Sequence, residues 1–247
     1  MKRLRFLFVF LSVVMLTNCE SKKQSLGTEG EKQIYYSTEG KKQKSPDERE
    51  FVDLGLPSGV KWSTMNLGAD YSQDIVQVDF KNNKVILKNP QIYGGSYNWG
   101  SLTRDGEYVN VTHDISADAK YDAARSEWGG EWRMPTKNEL KELKEHCTWE
   151  YVKDYGSDKV HGYIVTGVNG NSIFMPIGGS SVSVAGTSVS MSNTRSYANY
   201  CASTPFRAKS GGELKDCVHG LYLDEDTCKV ILYERSEVKF SIRPVRD

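Results

Sequence analysis

The sequence lacks the patterns that usually accompany catalysis or metal binding. Its four histidines are scattered, without a His-x-x-x-His pair. It contains neither a Gly-x-Ser-x-Gly nucleophile elbow nor a glycine-rich phosphate loop ending in Gly-Lys-Ser/Thr. Its acidic turns at 105–107 and 224–226 lack the ligand spacing of a calcium loop. These absences favour a protein without catalytic activity, cofactor or metal ion.

The sequence also lacks an apolar run long enough to span a bilayer. Its longest run, Phe6 to Leu16, has eleven residues, whereas a membrane-spanning helix needs about 20. The run follows Lys2, Arg3 and Arg5 and precedes Leu16-Thr17-Asn18-Cys19, which resembles a bacterial lipobox. A basic start, a short apolar run and a cleavage motif are typical of a secretory signal. We predict a lipoprotein signal peptide at residues 1–18 and a mature chain attached to the lipid bilayer through acylated Cys19.

The charge balance shows no strong excess of either sign. Cleavage of the signal removes Lys2, Arg3 and Arg5, which leaves 29 of the 32 basic residues against 32 acidic ones. A nucleic-acid partner usually requires a strongly basic surface, and this balance therefore argues against one.

The segment 20–50 is rich in charged and small polar residues and has few apolar ones. Such a composition buries too little apolar surface to fold by itself, so we expect lipidated Cys19 and this segment (19–50) to form a disordered tether. Together with the lipobox, it indicates a cell-envelope lipoprotein of the outer membrane. Glu20-Ser21-Lys22-Lys23 lacks the dense acidic run associated with surface export, which leaves a periplasmic and a surface-facing orientation open.

Local patterns predict one mostly irregular α+β domain over residues 51–247. Thr136-Lys137-Asn138-Glu139 fits a helix capping box, and Leu140 and Leu143 continue it as an apolar stripe. Asn169-Gly170 predicts a hairpin turn, because glycine adopts positive φ without strain. The predicted strands lie at 51–56, 60–65, 76–80, 85–88, 160–166, 172–177, 229–234 and 238–242, the predicted helices lie within 117–128 and after Thr136, and a long loop is predicted at 178–200.

Several longer motifs occur in a characteristic order. They are DLGLPSGVKWSTMNLGA at 53–69, YNWG at 97–100, YDAARSEWGGEWRMPT at 121–136, CTW at 147–149, GYIVTGVNGNSIFMP at 162–176 and FSIRPV at 240–245. In this order the chain resembles the Fibrobacter succinogenes major paralogous domain, a family abundant in surface and lipoprotein genes of Bacteroidota. The resemblance covers residues 51–245. It implies an adhesion-type surface module and names no ligand, and related modules include tip subunits of pili.

The Trp-Arg-Met-Pro-Thr-x-x-Glu run and the Arg-Pro-Val ending are also similar to the formylglycine-generating-enzyme group. That similarity implies a C-type-lectin-like α+β fold with two helices, small antiparallel sheets and long loops. The chain departs from the family at 200–203, where Tyr-Cys-Ala-Ser replaces the usual Tyr-Trp-Ser-Ser. The Glu-Pro-Asn and Trp-Asn-Asp signatures of calcium-dependent lectins are missing.

The aromatic residues suggest where a ligand would bind. Tryptophans of this kind usually pack in the core, so we expect ligand contact instead through the loops 178–200 and 204–215. The candidate contacts are Arg195, Tyr197 and Arg207, and the ligand is a glycan or a protein. The tyrosines expected to be exposed are Tyr93, Tyr97, Tyr197 and Tyr200.

Four cysteines remain in the mature domain: Cys147, Cys201, Cys217 and Cys228. Export permits disulfides, and Cys201, Cys217 and Cys228 are the candidates for a bond that would staple the C-terminal region, with the pairing open. The alternative is that these residues serve as structural thiols. The similarity to the formylglycine-generating-enzyme group implies an alternative function, a copper-dependent oxidase. In that alternative two of Cys201, Cys217 and Cys228 would hold copper, because soft thiolates hold Cu(I). A second alternative is a structural component of the envelope or of pilus assembly.

Overall fold

The computed structural model describes residues 49–69, 76–79, 84–87, 93–104, 106–156, 159–178, 182–184, 187–189 and 196–247. Cys19, the predicted signal peptide and nearly all of the predicted tether lie outside these residues. The described part contains two helices, α1 (Ala123–Trp128) and α2 (Lys137–His146), and these strands: β1 (Phe51–Asp53), β2 (Lys61–Ser63), β3 (Val76–Asp79), β4 (Lys84–Leu87), β5 (Thr148–Tyr155), β6 (Val160–Thr166), β7 (Ser172–Pro176), β8 (Val182–Val184), β9 (Thr187–Val189), β10 (Tyr197–Ser210), β11 (Glu213–Asp224), β12 (Cys228–Glu234) and β13 (Val245–Arg246).

The strands form small antiparallel sheets. Three sheets have three strands each, in the orders β1-β2-β13, β5-β6-β7 and β10-β11-β12, and two further hairpins join β3 to β4 and β8 to β9. The prediction of two helices with small antiparallel sheets is confirmed at this level, as a mostly-β arrangement. Within the described residues neither helix is long and apolar enough to cross a membrane.

Both helices begin at polar caps that the sequence supplies. Thr136 accepts a hydrogen bond from the Glu139 N–H, and the Glu139 carboxylate accepts one from the Thr136 N–H, so the predicted capping box is confirmed. Arg133 pairs with Glu139 at 2.7 Å, and both side chains are largely buried. Helix α1 starts later in the range 117–128 than the sequence suggested. Asp122 caps the helix, so Ala123 is its first residue and the residues before Asp122 form turns.

The predicted hairpin at 160–177 is confirmed as β6 and β7. The turn between them is tied to β1, because Asn169 and Asn171 each donate a side-chain hydrogen bond to the Asp53 carbonyl, at 3.0 and 2.9 Å. Gly170 adopts a φ of 84° in this turn, as predicted. The hairpin is therefore held against the N-terminal strand as well as to its own sheet.

The end of the chain differs from its predicted form. The segment 238–242 makes only single backbone bridges, from Phe240 to Tyr97 and from Ser241 to Tyr200, and the last strand, β13, follows Pro244 instead of ending before it. The physical reason lies in Arg243, whose fully buried guanidinium donates hydrogen bonds to the carbonyls of Ser63 and Phe174. These contacts direct the backbone toward β2, with which β13 then pairs.

The core consists mainly of two large hydrophobic clusters, and the tryptophans belong to them. Trp62 lies in the cluster around α2, and Trp99, Trp128 and Trp132 lie in the one around α1. All four are at most 4 % exposed, which confirms the expected packing role, whereas Trp149 is half-buried. The expected exposure of Tyr97 and Tyr200 is wrong: both are buried in the clusters.

Candidate functional site

The predicted ligand loop at 204–215 is a β-ribbon. Strands β10 and β11 pair from Tyr197↔Asp224 to Ser210↔Glu213, and only Gly211-Gly212 forms the turn, with φ of 59° and 88°. Strand β12 pairs with β11 only from Cys217 to Leu223, so the last part of the ribbon extends past it. The sequence did not indicate these strands, because Pro205 and Gly211-Gly212 interrupt the segment. The described part of 178–200 likewise contains β8, β9 and the start of β10 rather than a loop alone.

The three predicted ligand contacts do not form one site. Arg195 lies outside the described residues. Tyr197 and Arg207 lie toward opposite ends of the ribbon, opposite Asp224 and Asp216, which are about 26 Å apart along β11 at the usual rise of a strand. Arg207 forms an ion pair with Asp216 at 3.1 Å, at its own end of the ribbon. Tyr197 instead has an aromatic neighbour.

That neighbour is Tyr222, on strand β11. The two rings lie nearly parallel, with an interplanar angle of 16° and centroids 6.1 Å apart, and both side chains are half-buried. The ammonium of Lys229 lies 5.7 Å from the Tyr222 ring centroid. We call Tyr197, Tyr222 and Lys229 the tyrosine platform. Its residues come from three adjacent strands and lie on one face of the sheet. Lys229 and Asn199 are both directly opposite Tyr222, and Tyr197, two positions before Asn199, lies on the same face as Asn199.

A carboxylate borders the platform. Burial alone would raise the pKa of Asp224, but hydrogen bonds from the Tyr222 hydroxyl, the Asp226 N–H and Thr227 outweigh it and hold the pKa below its usual value. The pKa of Tyr222 is raised by burial and by this bond to Asp224. Asp224 is therefore charged at neutral pH and can accept hydrogen bonds beside two aromatic faces. Sequence reasoning missed Tyr222 and Lys229, and only the alternation of β11 and β12 could have indicated their shared face.

The three cysteines proposed for a disulfide are separated by the register of the sheet. Cys201 lies opposite Gly220, Cys217 opposite Glu234, and Cys228 opposite Leu223. Measured along β11, the positions of Cys217 and Cys228 are therefore about 20 Å apart. The position of Cys201 lies midway, about 10 Å from each. Disulfide-bonded cysteines have Cα atoms within about 7 Å. All four described cysteines are free thiols, and the expected staple does not fit this sheet.

The same separation bears on the copper-oxidase alternative. Two thiolates that hold one copper ion must lie side by side, and the register places no two of Cys201, Cys217 and Cys228 in that position. Burial raises the pKa of the Cys228 thiol to about 12 and that of Cys201 still further, which disfavours the thiolate form. Over the described residues, no group of three or more His, Cys, Asp or Glu side chains is arranged to hold a metal ion.

Comparison with known proteins adds no relative to this picture: no family model, no curated protein and no solved structure matches the chain.

Proposed function

We propose that this chain is a membrane-anchored, non-catalytic binding module of the cell envelope, and that it holds a glycan on the tyrosine platform. The observation that carries the proposal is the near-parallel pair of Tyr197 and Tyr222 beside the charged Asp224. Partly exposed tyrosines offer an apolar face and a polar tip to a ligand. A sugar ring presents the matching surfaces, an apolar C–H face and a rim of hydroxyl groups that can donate to a carboxylate.

The charges around the platform favour a neutral glycan. Asp224 ends β11, and Glu225 and Asp226 form the bend that follows it. The nearby cations include Lys229 and Lys153, the latter paired with Glu225. An acidic sugar placed here would meet carboxylates at close range, which is unfavourable. Hydroxyl groups of a neutral sugar can instead donate to Asp224.

A C-type-lectin-like fold is part of the proposal. Its support is the order of elements, with two helices between the first strands and the later sheets, and the pairing of β13 with β2, which joins the two ends of the described domain. Anchoring through Cys19 and the outer-membrane location rest on the lipobox and on the family resemblance.

Binding to neutral oligosaccharides tests the function. We expect the mature chain to bind at least one member of an arrayed panel of glucose, galactose and mannose oligosaccharides. Tyr222→Ala should lower that affinity at least tenfold, because it removes one of the two stacking faces. The matched control is Tyr155→Ala, which removes an exposed tyrosine stacked on Phe174 in a different sheet. No binding anywhere on the panel, or equal losses for the two variants, would refute the proposal.

The anchoring is tested in intact cells. We expect the wild-type chain to take up a palmitate label and to fractionate with the outer membrane, and Cys19→Ala to lose both. Protease added to intact cells then reports orientation: cleavage of the domain places the tyrosine platform outside, whereas protection until the membrane is broken places it in the periplasm. A label retained by Cys19→Ala would contradict acylation at this residue.

A further inference from the structure

We propose that a second surface, on the other face of the sheet from the tyrosine platform, docks a protein segment that combines apolar side chains with carboxylates. This surface is the opposite face of the β10-β11-β12 sheet at the edge of α2. Its centre is a row of three side chains, Phe206, His219 and Leu232, which we call the apolar row. On the helix side, Lys137 of α2 lies beside this row and Lys144 lies about two turns further along the helix.

The apolar row crosses three adjacent strands. His219 lies directly opposite Leu232 in the register of β11 and β12, and the Phe206 ring meets the His219 ring edge-to-face with centroids 5.3 Å apart. Phe206 and Leu232 are each 42 % exposed. Single exposed apolar side chains are common on protein surfaces, whereas neighbouring ones that form a continuous strip often mark an interaction site.

The rest of this sheet face is covered by α2. Leu221 and Leu223, which follow His219 at alternate positions of β11, are fully buried in one cluster with Leu140 and Leu143 of the helix. The Lys137 N–H donates to the Thr204 hydroxyl at 3.1 Å, which places the start of α2 against the base of the ribbon. The apolar row is therefore the part of the face that the helix does not cover.

The helix borders the row with positive charge. Burial lowers the pKa of His219, and the nearby Lys137 ammonium lowers it further, which keeps this imidazole neutral. Lys144 lies near Cys228, the first residue of β12, four positions before Leu232. Lys137 and Lys144 are seven residues apart and so project from one side of the helix. In the part of the chain that the structure describes, neither lysine forms an ion pair with a carboxylate. Glu234, which lies two positions after Leu232 on the same face, is instead paired with Lys215 at 3.3 Å.

These features together define the chemistry of the partner. Ammonium groups without a carboxylate select a partner that supplies one, and such complementarity mainly sets specificity and the rate of association. The apolar row lies on an open sheet face and not in a cavity, so it fits side chains that project from a polypeptide. A protein segment with leucine, isoleucine or phenylalanine next to Asp or Glu provides both contacts.

The test uses a displayed library of random 12-residue peptides, selected on the mature chain. We expect the selected peptides to combine apolar residues with Asp or Glu. Their affinity should fall at least tenfold for Lys137→Glu/Lys144→Glu and for Leu232→Ser, and it should weaken with added salt. The control Lys120→Glu/Lys159→Glu reverses two exposed lysines elsewhere and should leave the affinity unchanged.

The failure of this proposal is distinguishable from that of the glycan proposal, because Tyr222→Ala should not affect peptide binding. Selection of peptides without acidic residues, failure to select any peptide, or equal losses in the control would overturn the docking proposal.

A second experiment uses vesicles of phosphatidylcholine and phosphatidylglycerol. Binding to these vesicles that is lost in Lys137→Glu/Lys144→Glu would assign the surface to a membrane and overturn the protein partner.

Discussion

Replacing Asp122 with alanine is expected to lower the free energy of unfolding by about 4 kcal/mol, since several buried N–H groups would lose their acceptor. The Asp122 side chain is fully buried, and its carboxylate accepts four backbone hydrogen bonds. One oxygen accepts from Ala124 and Arg125 at the start of α1, at 2.9 and 3.0 Å, and the other from Ala117 and Met134, both at 2.8 Å. A single side chain thus joins a turn, a helix and the segment before α2.

Urea unfolding measures this loss. The matched control is Asp118→Ala in the same region. The Asp118 side chain is 34 % exposed, accepts one local backbone bond, from Lys120, and lies 3.5 Å from the exposed His113 ring. We expect the control to cost less than about 1 kcal/mol, as partly exposed local hydrogen bonds usually do. A loss for Asp122→Ala no larger than that of the control would show that the four bonds do not hold these segments together.

A second large loss of stability is expected from Gly167→Ala, about 3 kcal/mol, because the added methyl group has no space. A Cβ atom at this position would stand 2.0 Å from the carbonyl oxygen of Leu54 and 2.7 Å from its carbonyl carbon. Leu54 is fully buried, and its backbone cannot move without disturbing the core cluster around it. The turn between β6 and β7 would have to separate from the N-terminal segment.

The same turn provides the comparison. Gly170 has a φ of 84°, and no atom lies within 4 Å of the place that an added methyl group would occupy. Gly170→Ala should therefore cost only about 1 kcal/mol, through backbone strain. Thermal unfolding of both variants separates close packing from strain. Equal losses, or a larger loss at Gly170, would contradict the close contact between Gly167 and Leu54.

The elements with local rules were predictable from the sequence. The capping box at Thr136 and the Asn169-Gly170 turn depend on residues three or fewer positions apart, and both occur as predicted. The ribbon was not predictable in the same way, because β10 contains Pro205 and a register shift after Cys201. Its length depends on pairing with β11, which a local pattern does not reveal. The course of the last segment depends on the buried Arg243, whose partners, Ser63 and Phe174, are distant in sequence.

The candidate site was predictable only in part. Tyr197, a candidate ligand contact predicted from its residue type, lies on the tyrosine platform. Arg207 belongs to a distant part of the ribbon, where it pairs with Asp216. Tyr222 completes the platform because β10 and β11 align it beside Tyr197, a relation between residues far apart in sequence that depends on strand register. Strand register also explains why Cys201, Cys217 and Cys228 lie apart. Their spacing in the sequence does not reveal which residues of the neighbouring strand they pair with.

A titration of aromatic and non-aromatic variants at position 222 tests whether a glycan stacks on the Tyr222 ring. The measurement is the dissociation constant of the tightest-binding neutral oligosaccharide for wild type, Tyr222→Phe and Tyr222→Ala. Phenylalanine keeps the ring and loses only the hydroxyl bonded to Asp224. We expect Tyr222→Phe to stay within about threefold of wild type and Tyr222→Ala to bind at least tenfold more weakly, a difference of about 1.4 kcal/mol or more. Equal affinities of the phenylalanine and alanine variants would contradict a glycan held by the tyrosine platform.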